Sequence, residues 1–489
     1  MLSRRWIGRL EGTRKSARIL IVPANRVLGV QAMFVAAAGV GIVGIGTAHA
    51  QACDPIEIAQ FLANDSATDD HFGWSVSVDG DTAVVGAISD DDNGVNSGSA
   101  YVFTRSNGTW TQQAKLLPFD GVARDYFGYA VSIEGDTALI GATGDDDYGE
   151  SSGSAYVYTR AGGVWTLQAK LRPTDGAERD EFGSSVALDG EVALIGSPLD
   201  DGNGRDNSGS AYVFARSGNA WTQQAKLLPS DGHSFGGDFF GHSVSIVGST
   251  AVIGARGDDS AEVFTQSGGL WALQAKLTPA DEALFFGSSV SLSPDGNTVL
   301  IGAERDDDNG TWSGSAYVFT RSADTWTQQA KLLADDGAEE DFFGRTVSLG
   351  TGTAVIGAFW DDDNGSKSGS AYVFIRTGSL WTEHAKLLPS GGSVNDAFGV
   401  CVSVSDDTAV IGAYIDELTI DDTGAVYVFD IDRSCPADLT GDCRVDTIDF
   451  LTFLGAWSVR DPLADWNDDG DINTLDFLAY FADWTSGCS

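Results

Sequence analysis

Two stretches near the C-terminus carry oxygen-bearing side chains at alternate positions. Asp438, Thr440, Asp442, Asp446 and Asp449 stand at positions 1, 3, 5, 9 and 12 of a twelve-residue segment, with Arg444 at position 7. Asp465, Asn467, Asp469, Asn473 and Asp476 repeat the spacing, with Asp471 at position 7. A loop of this length wraps a hard cation: alternate side chains converge on it, position 7 offers its backbone carbonyl, and the last carboxylate closes the shell. The expected chemistry is calcium binding, one ion per loop.

Nothing else in the chain has the spacing of reactive groups. Of the five histidines, His49 lies in the N-terminal apolar region, and His71, His233, His242 and His384 fall at unrelated points. No GxSxG or HExxH pattern occurs, nor any nucleophile with an evident base. Five cysteines without CxxC or Cys/His spacing argue against zinc and redox chemistry. A formal net charge of -41 argues against nucleic acid as a partner, because phosphate binding rests on clustered Lys and Arg.

Each calcium-type loop runs into an apolar segment, FLTFLGAW or FLAYFADW, expected to be a helix. Paired loops of the EF-hand type, each followed by one helix, resemble a type I dockerin module over residues 434–489. The resemblance implies folding around two calcium ions and docking onto a cohesin, read by loop positions 10 and 11, here Thr447, Ile448, Thr474 and Leu475. The chain departs from that pattern: Cys443 replaces the turn glycine of the first loop, and the basic residues that follow on the recognition helices are missing.

Upstream, Phe-Gly recurs at Phe72, Phe127, Phe182, Phe240, Phe286, Phe343 and Phe398, a period of about 55 residues. Each copy opens a unit such as FGWSVSVDGDTAVVGAISDDDNGVNSGSAYVFTRSNGTWTQQAKLL. Ser75 and Ser77 alternate with Val76 and Val78, the period-2 pattern of a strand, and Asp79-Gly80-Asp81 turns the chain into TAVVGA. With the aromatic strand SAYVFTR and the strand WTQQAKLL after Asn107-Gly108, each unit makes four antiparallel strands, one blade of a β-propeller. A unit this small cannot bury a core alone, so blades must pack on one another.

The ends of the array complement each other. The last unit stops at AVYVFD, Ala425 to Asp430, while Ile56 to Leu62 precedes the first Phe-Gly as QQAKLL precedes the rest. The expected fold is an all-β, seven-bladed propeller over residues 51–433, closed by its N-terminal strand, with a small helical C-terminal module. Cys53 and Cys435 flank the closing pair and are expected to form a disulfide, Cys443 is paired with Cys488, and Cys401 is left as a buried thiol.

Phe-Gly, then Gly-Ala, then an aromatic strand resembles the FG-GAP repeat of integrin α-chain propellers and of many exported bacterial proteins. Members often carry a DxDxDG calcium loop between their first two strands. Here that connection is a short turn such as Asp79-Gly80-Asp81, so the family's calcium site does not carry over.

Between second and third strands run acidic loops, among them Asp90-Asp91-Asp92-Asn93-Gly94, Asp145-Asp146-Asp147 and Asp361-Asp362-Asp363-Asn364-Gly365. They are expected to make one face of the disc strongly negative, with the recurring Lys115, Lys170, Lys226, Lys276, Lys331 and Lys386 set apart within strands. Solvated turn chemistry is the favoured reading of these loops over weak calcium binding, since consecutive aspartates point in different directions.

Scattered Arg and Lys, an apolar run from Val27 to Gly46 and Ala48-His49-Ala50 together read as a secretory signal over residues 1–50, and an uncleaved anchor is the competing reading. The expected protein is exported to the cell surface or beyond. It is a non-catalytic binding, adhesion or scaffold protein, attached through its calcium-dependent tail to a protein partner, cohesin-like or other, or to a surface glycan. The alternative is a secreted polysaccharide hydrolase or lyase delivered by that tail.

Overall fold

The computed structural model describes residues 54–202, 204–231, 237–415, 423–431, 437, 439, 445, 447–467 and 470–486. The proposed signal segment, Cys53, Cys435, Cys443, Cys488, Asp438, Thr440, Asp442, Arg444, Asp446 and Asp469 lie outside the described residues.

The first blade consists of β2 (Phe72–Asp79), β3 (Thr82–Ala87), β4 (Ser99–Ser106) and β5 (Thr109–Leu116), and the strand before it is β1 (Ile56–Phe61). Seven four-stranded antiparallel sheets follow this plan. In the last, β1 is the outermost strand, hydrogen-bonded beside Ala425–Asp430, Thr408–Ala413 and Val402–Ser405, with Gln60 opposite Tyr427. The ring is therefore closed by the N-terminal strand, as its broken ends foretell. Phe61 of β1 stacks on Phe103 of the first blade at 4.2 Å, so the seam is packed like any other joint.

Burial explains why the second strand does not alternate. All six residues of β3 are buried, because neighbouring blades cover both of its faces. Tyr101 of β4 is fully buried, and Phe72 meets it edge-on at 5.4 Å within the same blade. The same pair recurs as Phe127 with Tyr156 and Phe182 with Tyr212, which ties the Phe-Gly motif to the aromatic strand.

The two glycine motifs are tied across blades. A Cβ on Gly86, the glycine of Gly-Ala in the first blade, would collide with the carbonyl oxygen of Gly128, the glycine of the next Phe-Gly. Equivalent pairs go round the ring, from Gly141 against Gly183 to Gly357 against Gly399, and Gly412 against Gly73 completes it. Innermost-strand serines reinforce the joints: Ser77 Oγ accepts the Ile133 N–H at 3.1 Å, and Ser403 Oγ that of Val78 at 3.0 Å. Cys401 occupies such a small-residue position. It is half-buried with Sγ 3.1 Å from the Gly73 carbonyl, and burial pushes its thiol up to about 12.

The C-terminal residues form α1 (Thr447–Val459) and α2 (Thr474–Ser486), joined in part by the single turn Pro462–Ala464. Ala437, Phe453, Ala464 and Tyr480 make their common core, with Phe453 and Tyr480 stacked at 4.0 Å. None of the described helices is long and apolar enough to cross a membrane.

Candidate functional site

Seven near-identical blades provide a frame against which exceptions stand out, and these gather where the channel opens beside the Phe-Gly motifs. The residue after Phe-Gly is Trp74, Tyr129, Ser184, His242, Ser288, Arg345 or Val400, six residue types in seven blades. These side chains line a cavity of about 170 Å³ in the ring's centre.

The residue before Phe-Gly is of five types, Phe in three blades, and its backbone is unusual in every blade. His71, Tyr126, Glu181, Phe239, Phe285, Phe342 and Ala397 all have positive φ, between 52° and 61°. Bulky residues rarely adopt this left-handed conformation, and such strain persists where the surroundings over-determine it. Here the preceding blade's loop does so: Tyr126 N–H donates to Asn96 O at 3.2 Å and Phe127 N–H to Ser97 O at 3.0 Å.

From the fourth to the sixth blade the mouth carries alternating cations and rings. The Arg256 guanidinium lies 5.6 Å from the Phe239 ring and 5.8 Å from Phe285, and that of Arg305 lies 4.3 Å from Phe285 and 5.3 Å from Trp312. Phe342 meets Trp312 at 5.9 Å and Trp360 at 4.9 Å, and Lys367 caps Trp360 at 3.7 Å. Across the channel Trp74 packs between Tyr414 at 5.1 Å and Tyr129 at 5.8 Å.

Electrostatics there run against the sign of the whole molecule. Burial, helped by Arg256 and Arg345, pushes His242 well below the usual histidine range, so it is neutral. Arg345 pairs with buried Glu304 at 3.0 Å. Arg256 and Arg305 each have a buried Nε without a hydrogen-bond partner. Burial, then Arg345 and Arg305, lowers Arg256, and Glu304 opposes that shift.

The acidic loops turn out differently from expectation. Each recurring lysine starts in a strand but its ammonium reaches the loop, so the predicted separation of lysines from an open negative face is wrong. Lys170 Nζ lies 2.9 Å from Asp120, 2.6 Å from Asp145 and 2.7 Å from Asp147, the very carboxylates close enough together to hold a metal ion. Lys115 sits likewise among Asp65, Asp90 and Asp92, and Lys386 among Asp336, Asp361 and Asp363. Burial pushes Lys115 down, but hydrogen bonds to its three aspartates outweigh this and hold it well above the ordinary lysine value. The middle aspartate does turn work, Asp91 Oδ1 accepting the Asn96 N–H at 2.7 Å. At Asp120, Asp145 and Asp147 an ammonium thus stands among carboxylates spaced closely enough for a metal ion.

In the tail, the described part of the second calcium-type loop curls around its last carboxylate. Buried Asp476 accepts the N–H groups of Asn467 at 3.2 Å and Asn473 at 2.7 Å, while Asp465 accepts that of Gly470 at 2.9 Å. Asp449, last residue of the first loop, is also buried. This all-oxygen set of Asp465, Asn467, Asp471, Asn473 and Asp476 fits a hard cation and no soft one.

The FG-GAP repeat model matches residues 56–103, 110–158, 165–214, 221–269, 271–319, 326–374 and 381–429. The chain belongs to the FG-GAP repeat family. Each matched FG-GAP stretch starts in the outer strand of one blade and ends in the third strand of the next, so the first begins at Ile56 in β1. The sequence repeat is offset from the blade by one strand, and that offset closes the ring. No curated protein matches the chain.

Sequence reasoning singled out the tail loops and passed over the mouth of the FG-GAP propeller. The signal was available: aligned on Phe-Gly, the positions on either side of the motif vary while the motif stays fixed.

Proposed function

We propose that this FG-GAP propeller is an exported, non-catalytic binding or adhesion scaffold that takes its ligand at the mouth beside the Phe-Gly motifs. One observation carries the reading: strained, varied aromatic, arginine and histidine residues gather there on a frame otherwise repeated seven times. Irregularity held in place by regular scaffolding is how a repeat protein builds a specific surface.

The tail, in this reading, is a dockerin-like module that holds calcium through Asp438, Thr440, Asp442, the Arg444 carbonyl, Asp446 and Asp449, and through Asp465 to Asp476 in the second loop. Calcium there neutralises clustered carboxylates and fixes α1 and α2, so attachment to a protein partner depends on the ion. The exposed Ile448 and Leu475, beside Thr447 and Thr474, support a contact role for the start of each helix.

The test is a pull-down from the producing cells' surface fraction with and without chelator, alongside a reducing-end assay on a polysaccharide panel. Retention that chelator abolishes, with no new reducing ends, is the expected result. Accumulating reducing ends, lost on substitution at the mouth, overturn the scaffold reading in favour of a polysaccharide-cleaving enzyme.

A further inference from the structure

We infer that the mouth binds an acidic saccharide, its carboxylate or sulfate held by Arg256, Arg305 and Arg345 and its sugar ring laid against the mouth's aromatics. This rests on the mouth being the ligand site and adds the chemical class of the ligand.

Three observations point to an anion. First, the cation-rich arc is an exception on a chain of net charge -41, so it is not a by-product of overall composition. Second, Arg256 and Arg305 have no ion-paired carboxylate among the described residues, unlike Arg345 with its Glu304. Third, the rings of Phe239, Phe285 and Trp312 lie 4.3 to 5.8 Å from these guanidiniums and take up none of their hydrogen-bonding capacity. A guanidinium edge presents paired N–H donors that match a carboxylate or sulfate.

The same page favours a saccharide over a peptide. The innermost strand of each blade is an edge strand facing the channel, but serines of the neighbouring blade accept its N–H groups, Ser77 from Ile133, Ser245 from Leu292 and Ser291 from Leu349, which leaves that edge little to offer a peptide main chain. A cavity of about 170 Å³ whose wall carries the rings of Trp74 and Tyr129 and one cation, Arg345, is of a size for one sugar unit.

The experiment is calorimetric titration of the full chain with tetragalacturonate, a sulfated tetrasaccharide, neutral maltotetraose and an acetylated glutamate tetrapeptide. The double substitution R256Q/R305Q is compared with R105Q, because Arg105 lies by Asp81 and Thr408 at the opposite end of the strands and controls for charge. Thermal melts verify that each variant folds. The expected result is binding of one or both anionic saccharides, weakened about tenfold or more by R256Q/R305Q and less than about twofold by R105Q. Equal affinity for maltotetraose, preference for the peptide, or no saccharide binding by the folded wild type each overturns the inference. An acidic saccharide that is bound and cut fails the scaffold reading alone, whereas chelator-sensitive retention with no saccharide bound fails this inference alone.

Discussion

Gly412 of the last blade abuts the carbonyl of Gly73 in the first so closely that any side chain on Gly412 would overlap it. The Gly-Ala and Phe-Gly motifs are thus two halves of one joint, and the final joint is made by residues over three hundred positions apart. A joint of backbone against backbone cannot yield as a flexible side chain can.

Gly412→Ala is therefore expected to destabilise the propeller by about 3 kcal/mol or more, the range of severe core overpacking. Gly80→Ala is the comparison: its φ is +53° but nothing lies within 4 Å, so only backbone strain of about 1 kcal/mol is at stake. Urea unfolding of both variants checks this. Similar losses would mean that the close approach at the ring joint is unimportant.

How far the fold was legible follows from the same residues. Gly73, Gly128 and their equivalents repeat because each joint needs them, so the period and blade count could be read directly. Ring closure was legible too, because Ile56–Phe61 and Ala425–Asp430 are complementary fragments of one unit. The lysine cages were not, since Lys170 and Asp145 belong to different strands and connections whose common end only the fold brings together. Arg256, Arg305 and Trp360 each occur once, so no motif marks them. What unites them is their place around the mouth.

Lys170 makes a strong prediction because its ammonium occupies a three-carboxylate cage. Lys170→Gln should leave Asp120, Asp145 and Asp147 facing one another and lower stability by about 2 kcal/mol, less than for a fully buried pair because two of the carboxylates are about one-third exposed. Millimolar calcium should recover much of that loss in the variant and change the wild-type blades little. Melting curves with calcium and with chelator decide it. A variant indifferent to calcium would show that the cage cannot serve as a cation site.

Acid should first strengthen the propeller, then weaken it. Burial pushes Asp70, Asp125, Asp180 and Asp341 up to about 6, against backbone hydrogen bonds that pull them down. Between the ordinary value of 3.8 and about 6 the folded state binds more protons at these sites, so stability rises as pH falls from 7 toward 5. The cage carboxylates act in the opposite sense at lower pH. Burial raises Asp65 and Asp336, but hydrogen bonds from Lys115 and Lys386 outweigh it and hold them below 3.8. Their contribution is fully present above 3.8 and is lost as pH falls through the depressed values. Melting temperature against pH should therefore pass through a maximum near pH 4, and a steady decline from pH 7 downward would contradict the assignment.

Calcium should act on the tail selectively. The carboxylates of Asp449 and Asp476 are buried at the starts of α1 and α2, and the second loop's N–H groups are already directed at Asp476. If a cation ties Asp465 and Asp476 together across the loop, chelator should loosen the loop and the Phe453–Tyr480 stack that it supports. The propeller has its own joints and lysine cages and should not respond. Trp466 and Trp484 make this visible in the intact chain, because both belong to the tail's aromatic cluster. Chelator should change their near-ultraviolet signal and expose sites in residues 437–486 to protease, and Asp476→Asn should reproduce the change even in calcium. A tail that stays protease-resistant in chelator, with Asp476→Asn unchanged, would mean that aromatic packing alone holds the two helices and that the loops are acidic turns.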